Sequence, residues 1–295
     1  MSGPGTPHAT AGGDRALVAA IGVNVLLTVV QVVGGVLSGS LSLIADAMHN
    51  LSDAAAIGVA LIAQRIGRAP ADRDHTYGHG RAELIGAFVN LTWLLLLGLF
   101  LVSEGIQRLI APQPVDGWVV VGVAGVALVV DLATAALTWR RRGHSLNIRA
   151  VFVNNAADAA GSVGVIVAGT LILLYDWHLA DTIATFGIAA YLMVQGAVML
   201  PRTIDILMQR VPTDLDVVDV ARDLATVDGV IEVHDMHIWE IDERQRSLEA
   251  HVVVATRDVD RMEAIKRALK ARLLADFDIV HSTLEFEFAP DDKQP

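Results

Sequence analysis

Long apolar stretches fill the first two thirds of the chain. A helix needs roughly 20 apolar residues to cross a bilayer, because the hydrocarbon core is about 30 Å thick and each residue rises about 1.5 Å. Six stretches meet this requirement, so we predict an α-helical membrane domain of six spans over residues 16–200. The spans are Ala16–Leu37, Leu41–Ile66, Leu84–Ile110, Val115–Trp139, Ile148–Tyr175 and Leu179–Leu200.

The distribution of arginine predicts the orientation of these spans. Short cytoplasmic loops collect positive charge. Of the ten arginines before residue 200, eight lie in or directly beside the connections that follow the second and fourth spans: Arg65, Arg68, Arg73, Arg81, Arg140, Arg141, Arg142 and Arg149. We therefore expect an integral protein of a bacterial inner membrane with both termini in the cytoplasm. Residues 1–15, rich in Gly, Pro, Ser and Thr, are predicted to be a disordered tail.

The hydrophobic pattern changes after Pro201. Residues 201–210 are predicted to be a linker, residues 211–290 a small α+β sandwich, and residues 291–295 a tail. The predicted order is helix, strand, strand, helix, strand: Asp214–Thr226, Val230–Ile241, Leu248–Ala255, Asp258–Ala275 and Ile279–Phe288. Residues 201–295 carry 12 basic and 21 acidic residues, a net charge of −9, which argues against nucleic-acid binding.

Two predicted spans contain matching pairs of polar residues. His49 and Asp53 are four residues apart in the second span, and Asn154 and Asp158 are four apart in the fifth, so each pair lies on one helix face. A carboxylate in hydrocarbon costs several kcal/mol unless it is paired, hydrated or metal-bound. The four side chains suit a four-coordinate divalent cation, and the chain has no cysteine to supply thiolates. The alternative is that they are polar contacts between helices.

Other polar residues leave more than one interpretation open. Asp131 in the fourth span is either a proton relay or a buried hydrogen-bond partner. Asp72, His75 and His79, in the loop after the second span, either converge on one ion or are a solvated loop. Three histidines on three predicted strands either bind metal or are ordinary sheet residues: His234, His251 and His281.

The chain resembles the cation diffusion facilitator family over nearly its whole length. The stretch SLSLIADAMHNLSDAAAIGVALIAQR covers the second span, and HTYGHGRAELIGAFVN leads into the third. The fifth span contains NNAADAAGSVGVIVAG, and the C-terminal part contains VHDMHIWEI and HSTLEFE. The resemblance implies a proton-coupled exporter of zinc and related divalent ions, which works by alternating access. It further implies a cytoplasmic ferredoxin-like domain and a homodimer formed through that domain.

The resemblance also implies three metal sites. The transport site falls on His49, Asp53, Asn154 and Asp158, and the other two fall on the loop and tail clusters named above. Zinc-transporting members usually carry histidine where this chain has Asn154. An amide oxygen is a harder and weaker donor than imidazole, so Cd²⁺, Co²⁺, Ni²⁺, Fe²⁺ and Mn²⁺ are alternatives to Zn²⁺. The ion is expected as substrate, with no catalytic cofactor.

Two other classes of protein compete with a transporter. An intramembrane metalloenzyme needs an open coordination position and a general base, but the sequence has neither an HExxH motif nor a serine-plus-lysine arrangement. A membrane metal sensor has no need of two matched pairs of ligands at mid-membrane depth. We therefore expect a carrier, not an enzyme, whose partners are membrane lipid, protons and divalent ions.

Overall fold

The computed structural model describes residues 11–139 and 146–288. Within this range, the side chains of residues 22, 25–136, 153 and 155–288 are described. Residues 1–10 of the predicted N-terminal tail and the predicted tail at 291–295 lie outside the described residues.

Six helices cover the predicted spans: α1 (Ala11–Ser38), α2 (Leu41–Gly67), α3 (Arg81–Ile110), α4 (Gly117–Trp139), α5 (Leu146–Tyr175) and α6 (Leu179–Leu207). In the described part of the chain, α3, α6 and long segments of α4 and α5 are apolar and long enough to cross a membrane. α1 offers the shorter apolar stretch Val25–Ser38. Asp46, His49 and Asp53 lower the hydropathy of α2, which is 27 residues long.

Two helix boundaries differ from the predicted ones by five residues or more. α6 continues through Pro201 to Leu207, so most of the predicted linker is helical. A proline removes one backbone hydrogen bond, but its fixed φ is compatible with a helix, and long membrane helices tolerate it. α1 begins at Ala11, inside the predicted tail.

Glycines allow two pairs of helices to approach closely. A Cβ atom on Gly169 of α5 would lie 2.9 Å from methyl carbons of Val120 and Val121 on α4. On α6, a Cβ atom on Gly196 would lie 2.8 Å from Cγ of Leu95 on α3, and on α3 a Cβ atom on Gly98 would clash with Met193 of α6. Small residues at such points let helices pack tightly in membranes. α3 with α6 and α4 with α5 are therefore closely packed pairs.

The C-terminal part is built from α7 (Val217–Leu224), β1 (Val230–Asp242), β2 (Gln245–Val254), α8 (Val259–Phe277) and β3 (Ile279–Phe288). This matches the predicted order, with boundaries within three residues. The three strands form one sheet in the order β1, β2, β3, with β2 antiparallel to β1 and parallel to β3. Asp216 and Asp258 cap the two helices by accepting backbone N–H bonds. The ferredoxin-like topology stays a prediction.

Replacement of Gly169 by valine tests the close packing of α4 on α5. We expect Gly169→Val to destabilise the protein by about 1–3 kcal/mol, because the new side chain meets Val120 and Val121 in a packed interface. The measurement is the apparent unfolding temperature of the detergent-solubilised chain. Gly164→Val on the same helix is the matched control, since nothing lies within 4 Å of a Cβ atom there. Equal unfolding temperatures for the two variants would contradict close packing at Gly169.

Candidate metal centre

Side chains from α2 and α5 meet among the membrane helices. His49 Nε2 lies 3.1 Å from Oδ1 of Asp158, and His49 Nδ1 lies 3.9 Å from Oδ1 of Asp53. One ligand atom from each of these three residues lies within 4.8 Å of the other two. His49 and Asp158 are buried, and Asp53 is partly buried. The structure thus brings together three of the four predicted transport-site residues. The fourth, Asn154, belongs to α5, and its side chain lies outside the described residues.

The helices near this group contain further buried polar side chains. Asp46 accepts a hydrogen bond from Nε2 of Gln31, whose Oε1 accepts one from Asn50. Asp131 accepts a hydrogen bond from Oγ of Ser162 at 3.2 Å, a contact that is compatible with both a proton relay and a buried hydrogen-bond partner. These bonds satisfy carboxylates that would otherwise be costly in an apolar surrounding.

The three predicted loop residues lie close together. His75 Nδ1 is 3.3 Å from Oδ1 of Asp72, and His79 Nε2 is 3.6 Å from Oδ2 of the same carboxylate. Backbone N–H groups of His75 and Asp74 donate to Asp72, which lowers the pKa of its carboxyl group. Asp72 and His75 are exposed and His79 is partly buried, so this group is far more open to water than the one at His49.

The tail group differs from the predicted one. His234 and His251 face each other across β1 and β2, and Glu287 of β3 accepts hydrogen bonds from both, at 3.2 and 2.7 Å. His281 does not join them: it pairs with Ser247, four residues from His251, which is about 13 Å along the strand. The parallel register of β3 on β2 therefore supplies a glutamate in place of the third histidine.

Electrostatic interactions couple the tail histidines to nearby carboxylates. The hydrogen bond to Glu287 raises the pKa of His251, and Glu285 and Asp235 act in the same direction. The same hydrogen bond lowers the pKa of Glu287. A histidine with a raised pKa binds metal less readily as the pH falls, because the proton and the ion compete for the same nitrogen.

Comparison with protein families identifies both parts of the chain. Residues 17–208 match the cation efflux transmembrane domain, and residues 212–288 match the cytoplasmic domain of cation efflux proteins. The chain belongs to the cation diffusion facilitator family. It is therefore an integral membrane protein of divalent-metal transport, with a membrane domain followed by a cytoplasmic domain.

Similar members of the family come from several bacteria. The metal cation efflux system protein CzcD of Cupriavidus metallidurans is 32% identical, over 98% of this chain and 91% of the relative. The zinc transporter ZitB of Escherichia coli is 32% identical, over 94% and 88%. The cadmium, cobalt and zinc/H(+)-K(+) antiporter of Bacillus velezensis is 31% identical, over 97% and 92%. The solved metal-bound C-terminal domain of the C. metallidurans CzcD transporter is 37% identical, over 25% of this chain and 99% of that one, with a TM-score of 0.23.

Three side chains at or near these groups were not predicted from the sequence: Glu287, Gln31 and Tyr191. Glu287 was not predicted because the register of a parallel strand pair cannot be read from the sequence of either strand. Gln31 and Tyr191 each carry a polar group in an otherwise apolar helix, which was the available signal. The Tyr191 ring lies edge-on to that of His49, with centroids 5.6 Å apart.

Replacement of Glu287 by glutamine tests the electrostatic coupling in the tail group. We expect the pKa of His251 to fall in Glu287→Gln, because the charge that favours the imidazolium is lost. The pair formed by His251 and Glu287 stabilises the fold fully below the ordinary histidine pKa of about 6.5. This stabilisation is lost as the pH rises through the raised pKa of His251 in the folded protein. The measurement is an NMR titration of the histidine ring protons in the detergent-solubilised chain.

The matched control for this titration is Glu263→Gln. Glu263 lies on α8 and pairs with Lys266, so its removal should leave the His251 titration unchanged. An unchanged His251 pKa in Glu287→Gln would show that the hydrogen bond does not control the titration.

Proposed function

We propose that this protein exports divalent transition-metal cations from the cytoplasm in exchange for protons, with Zn²⁺ as the first candidate substrate. The observation that carries the proposal is the buried group formed by His49, Asp53 and Asp158. Two carboxylates and an imidazole, converging within 4.8 Å among membrane helices, suit a divalent ion of intermediate softness.

The number of ligands favours transport over catalysis. Asn154 precedes Asp158 by one helical turn, and we propose that its amide oxygen completes a four-coordinate site. Such a site has no open position for an activated water, which a hydrolytic metal centre requires. A site whose coordination positions are all filled by protein ligands binds the ion and leaves no position for a reacting molecule, as a carrier requires.

Proton exchange follows from the same ligand atoms. His49 Nε2 and Asp158 Oδ1 are 3.1 Å apart, so in the absence of an ion they share a hydrogen bond through a proton. An ion that binds both atoms displaces this proton, and the proton leaves the site when His49 is an imidazolium, because the neutral ring that remains keeps its other proton on Nδ1. A proton that returns weakens the site for the ion. Alternation of the helices between two packings would expose the site to each side of the membrane in turn. The antiporter from B. velezensis is consistent with such an exchange.

The family resemblance supports a specific architecture. We propose that all six helices α1–α6 cross the inner membrane of a bacterium, with both termini in the cytoplasm. The C-terminal part would adopt the ferredoxin-like fold and pair with that of a second copy, as the match to the cytoplasmic domain of cation efflux proteins suggests. The loop group and the tail group would bind further ions, the tail group through His234, His251 and Glu287.

Replacement of Asp158 by alanine tests the transport site. We expect Zn²⁺ flux into proteoliposomes under an imposed pH gradient to fall to the level of empty liposomes, because the group loses a ligand that also contacts His49. Asp176→Ala is the matched control, since that carboxylate is 92% exposed in the connection between α5 and α6, and it should transport normally. Full flux by Asp158→Ala would exclude this group as the transport site. The absence of flux of any ion with the unaltered chain would favour the membrane sensor.

Replacement of Asn154 by histidine tests ion selectivity. We expect Asn154→His to raise the ratio of Zn²⁺ flux to Mn²⁺ flux by roughly tenfold, because imidazole is a softer donor than an amide oxygen and suits Zn²⁺ better. Competition between the two ions in proteoliposomes measures the ratio. Asn155→His is the control, since the next residue points about 100° away around the helix. An unchanged ratio would mean that this position does not set selectivity.

A further inference from the structure

Tyr191 of α6 reaches the ion ligands from a third helix. Its ring and the His49 imidazole lie 5.6 Å apart between centroids, with their planes at 83°. This edge-to-face arrangement is the favourable one for two aromatic rings. The charges that act on the Tyr191 phenol include those of Asp53 and Asp158, the carboxylates of the same group. Tyr191 therefore borders the site without belonging to the ligand set derived from α2 and α5.

The two ring nitrogens of the His49 imidazole differ in their contacts. One ring nitrogen, Nε2, lies in hydrogen-bond range of Asp158. The other, Nδ1, is buried and has no hydrogen-bond partner among the described side chains, while Asp53 lies 3.9 Å away. Metal-binding histidines usually owe their orientation to a hydrogen bond on the second nitrogen. Here Nδ1 has no such bond among the described residues, and the T-shaped contact with the Tyr191 ring adds an aromatic constraint to the packing around this buried imidazole.

Tyr191 is carried by a helix that contributes no ligand. α6 is closely packed on α3 at Gly98 and Gly196, whereas His49 and Asp158 belong to α2 and α5. A shift of α6 relative to α2 would change the contact between the two rings and leave the ligands in their own helices. Through the contact between the two rings, the orientation of the His49 imidazole depends on the position of α6.

We propose that Tyr191 is a positioning residue that sets the metal affinity of the transport site by holding the His49 imidazole through its aromatic ring. This inference rests on the proposed function of the group at His49. The ring acts and the hydroxyl does not, because the observed contact is between the two aromatic rings. Restriction of the imidazole lowers the conformational cost of presenting its nitrogens to the ion.

The test compares Tyr191→Phe with Tyr191→Leu in the full-length chain in detergent. Both variants are made in a background of His75→Ala and His251→Ala, which disables the loop and tail groups. Co²⁺ is the probe, because its visible absorption reports both occupancy and coordination geometry. We expect Tyr191→Phe to bind Co²⁺ within about twofold of the background protein and to keep its spectrum. We expect Tyr191→Leu to bind about two- to tenfold more weakly, with a changed spectrum, as the loss of an aromatic pair predicts.

Two results would overturn the proposal. If Tyr191→Phe binds as weakly as Tyr191→Leu, the hydroxyl group acts on the ion or its ligands and the ring does not. If Tyr191→Leu binds as tightly as the background protein, the aromatic contact has no effect on affinity. Tyr191→Met, an unbranched apolar alternative, replaces Tyr191→Leu if the latter does not fold.

His49→Ala in the same background separates this proposal from the proposed function. Loss of Co²⁺ binding in this variant shows that the ion binds at His49, and the comparison at Tyr191 then decides the positioning role. Unchanged Co²⁺ binding in His49→Ala would place the ion elsewhere. That result would overturn the transport site itself, whatever the Tyr191 variants do.

Discussion

A carboxylate among apolar helices loses its hydration, and the membrane part of this protein is organised around that cost. Asp181 at the start of α6 accepts hydrogen bonds from the hydroxyls of Ser40 and Ser42 and from the backbone N–H of Leu41. These bonds cap the start of α2 and stabilise the charged carboxylate. Asp46 and Asp131 accept bonds from Gln31 and Ser162. The group at His49 differs from these because it places two carboxylates beside one imidazole.

The three groups of ligands differ chiefly in their exposure to water. The group at His49 is largely buried, the tail group is intermediate, and the loop group is mostly exposed. Electrostatic interactions weaken as the surrounding dielectric and the salt concentration rise. Protons and metal ions should therefore compete most strongly at the buried group, because a change of charge there acts on neighbouring charges over a longer distance. An ion bound at the exposed group would reach water without any rearrangement of helices. Such a gradient of exposure suits a carrier whose selective site is the buried one.

The asparagine at position 154 distinguishes the motif of this chain from that of the zinc-transporting members it resembles. Zinc-transporting members usually have histidine there, and an amide removes one group that could take up a proton during transport. His49 is then the only imidazole expected at the transport site, which makes its orientation more important than in a site with two. The ring of Tyr191 and the hydrogen bond to Asp158 both act on that single imidazole. In the proposed transport site, metal binding, proton exchange and the position of α6 would all act through His49.

The amino-acid sequence by itself determined the helices, the order of elements in the tail and the family, because these depend on hydrophobic periodicity and on motifs that are local in the chain. It also paired His49 with Asp53, since the spacing of a helix places residues four apart on one face. Only the tertiary structure decided which side chains from distant segments meet. The register of β3 on β2 brought Glu287, and not His281, to the tail histidines, and the packing of α6 brought Tyr191 to His49. Strand register and helix packing arise from the fit of many side chains at once, and no single segment encodes them.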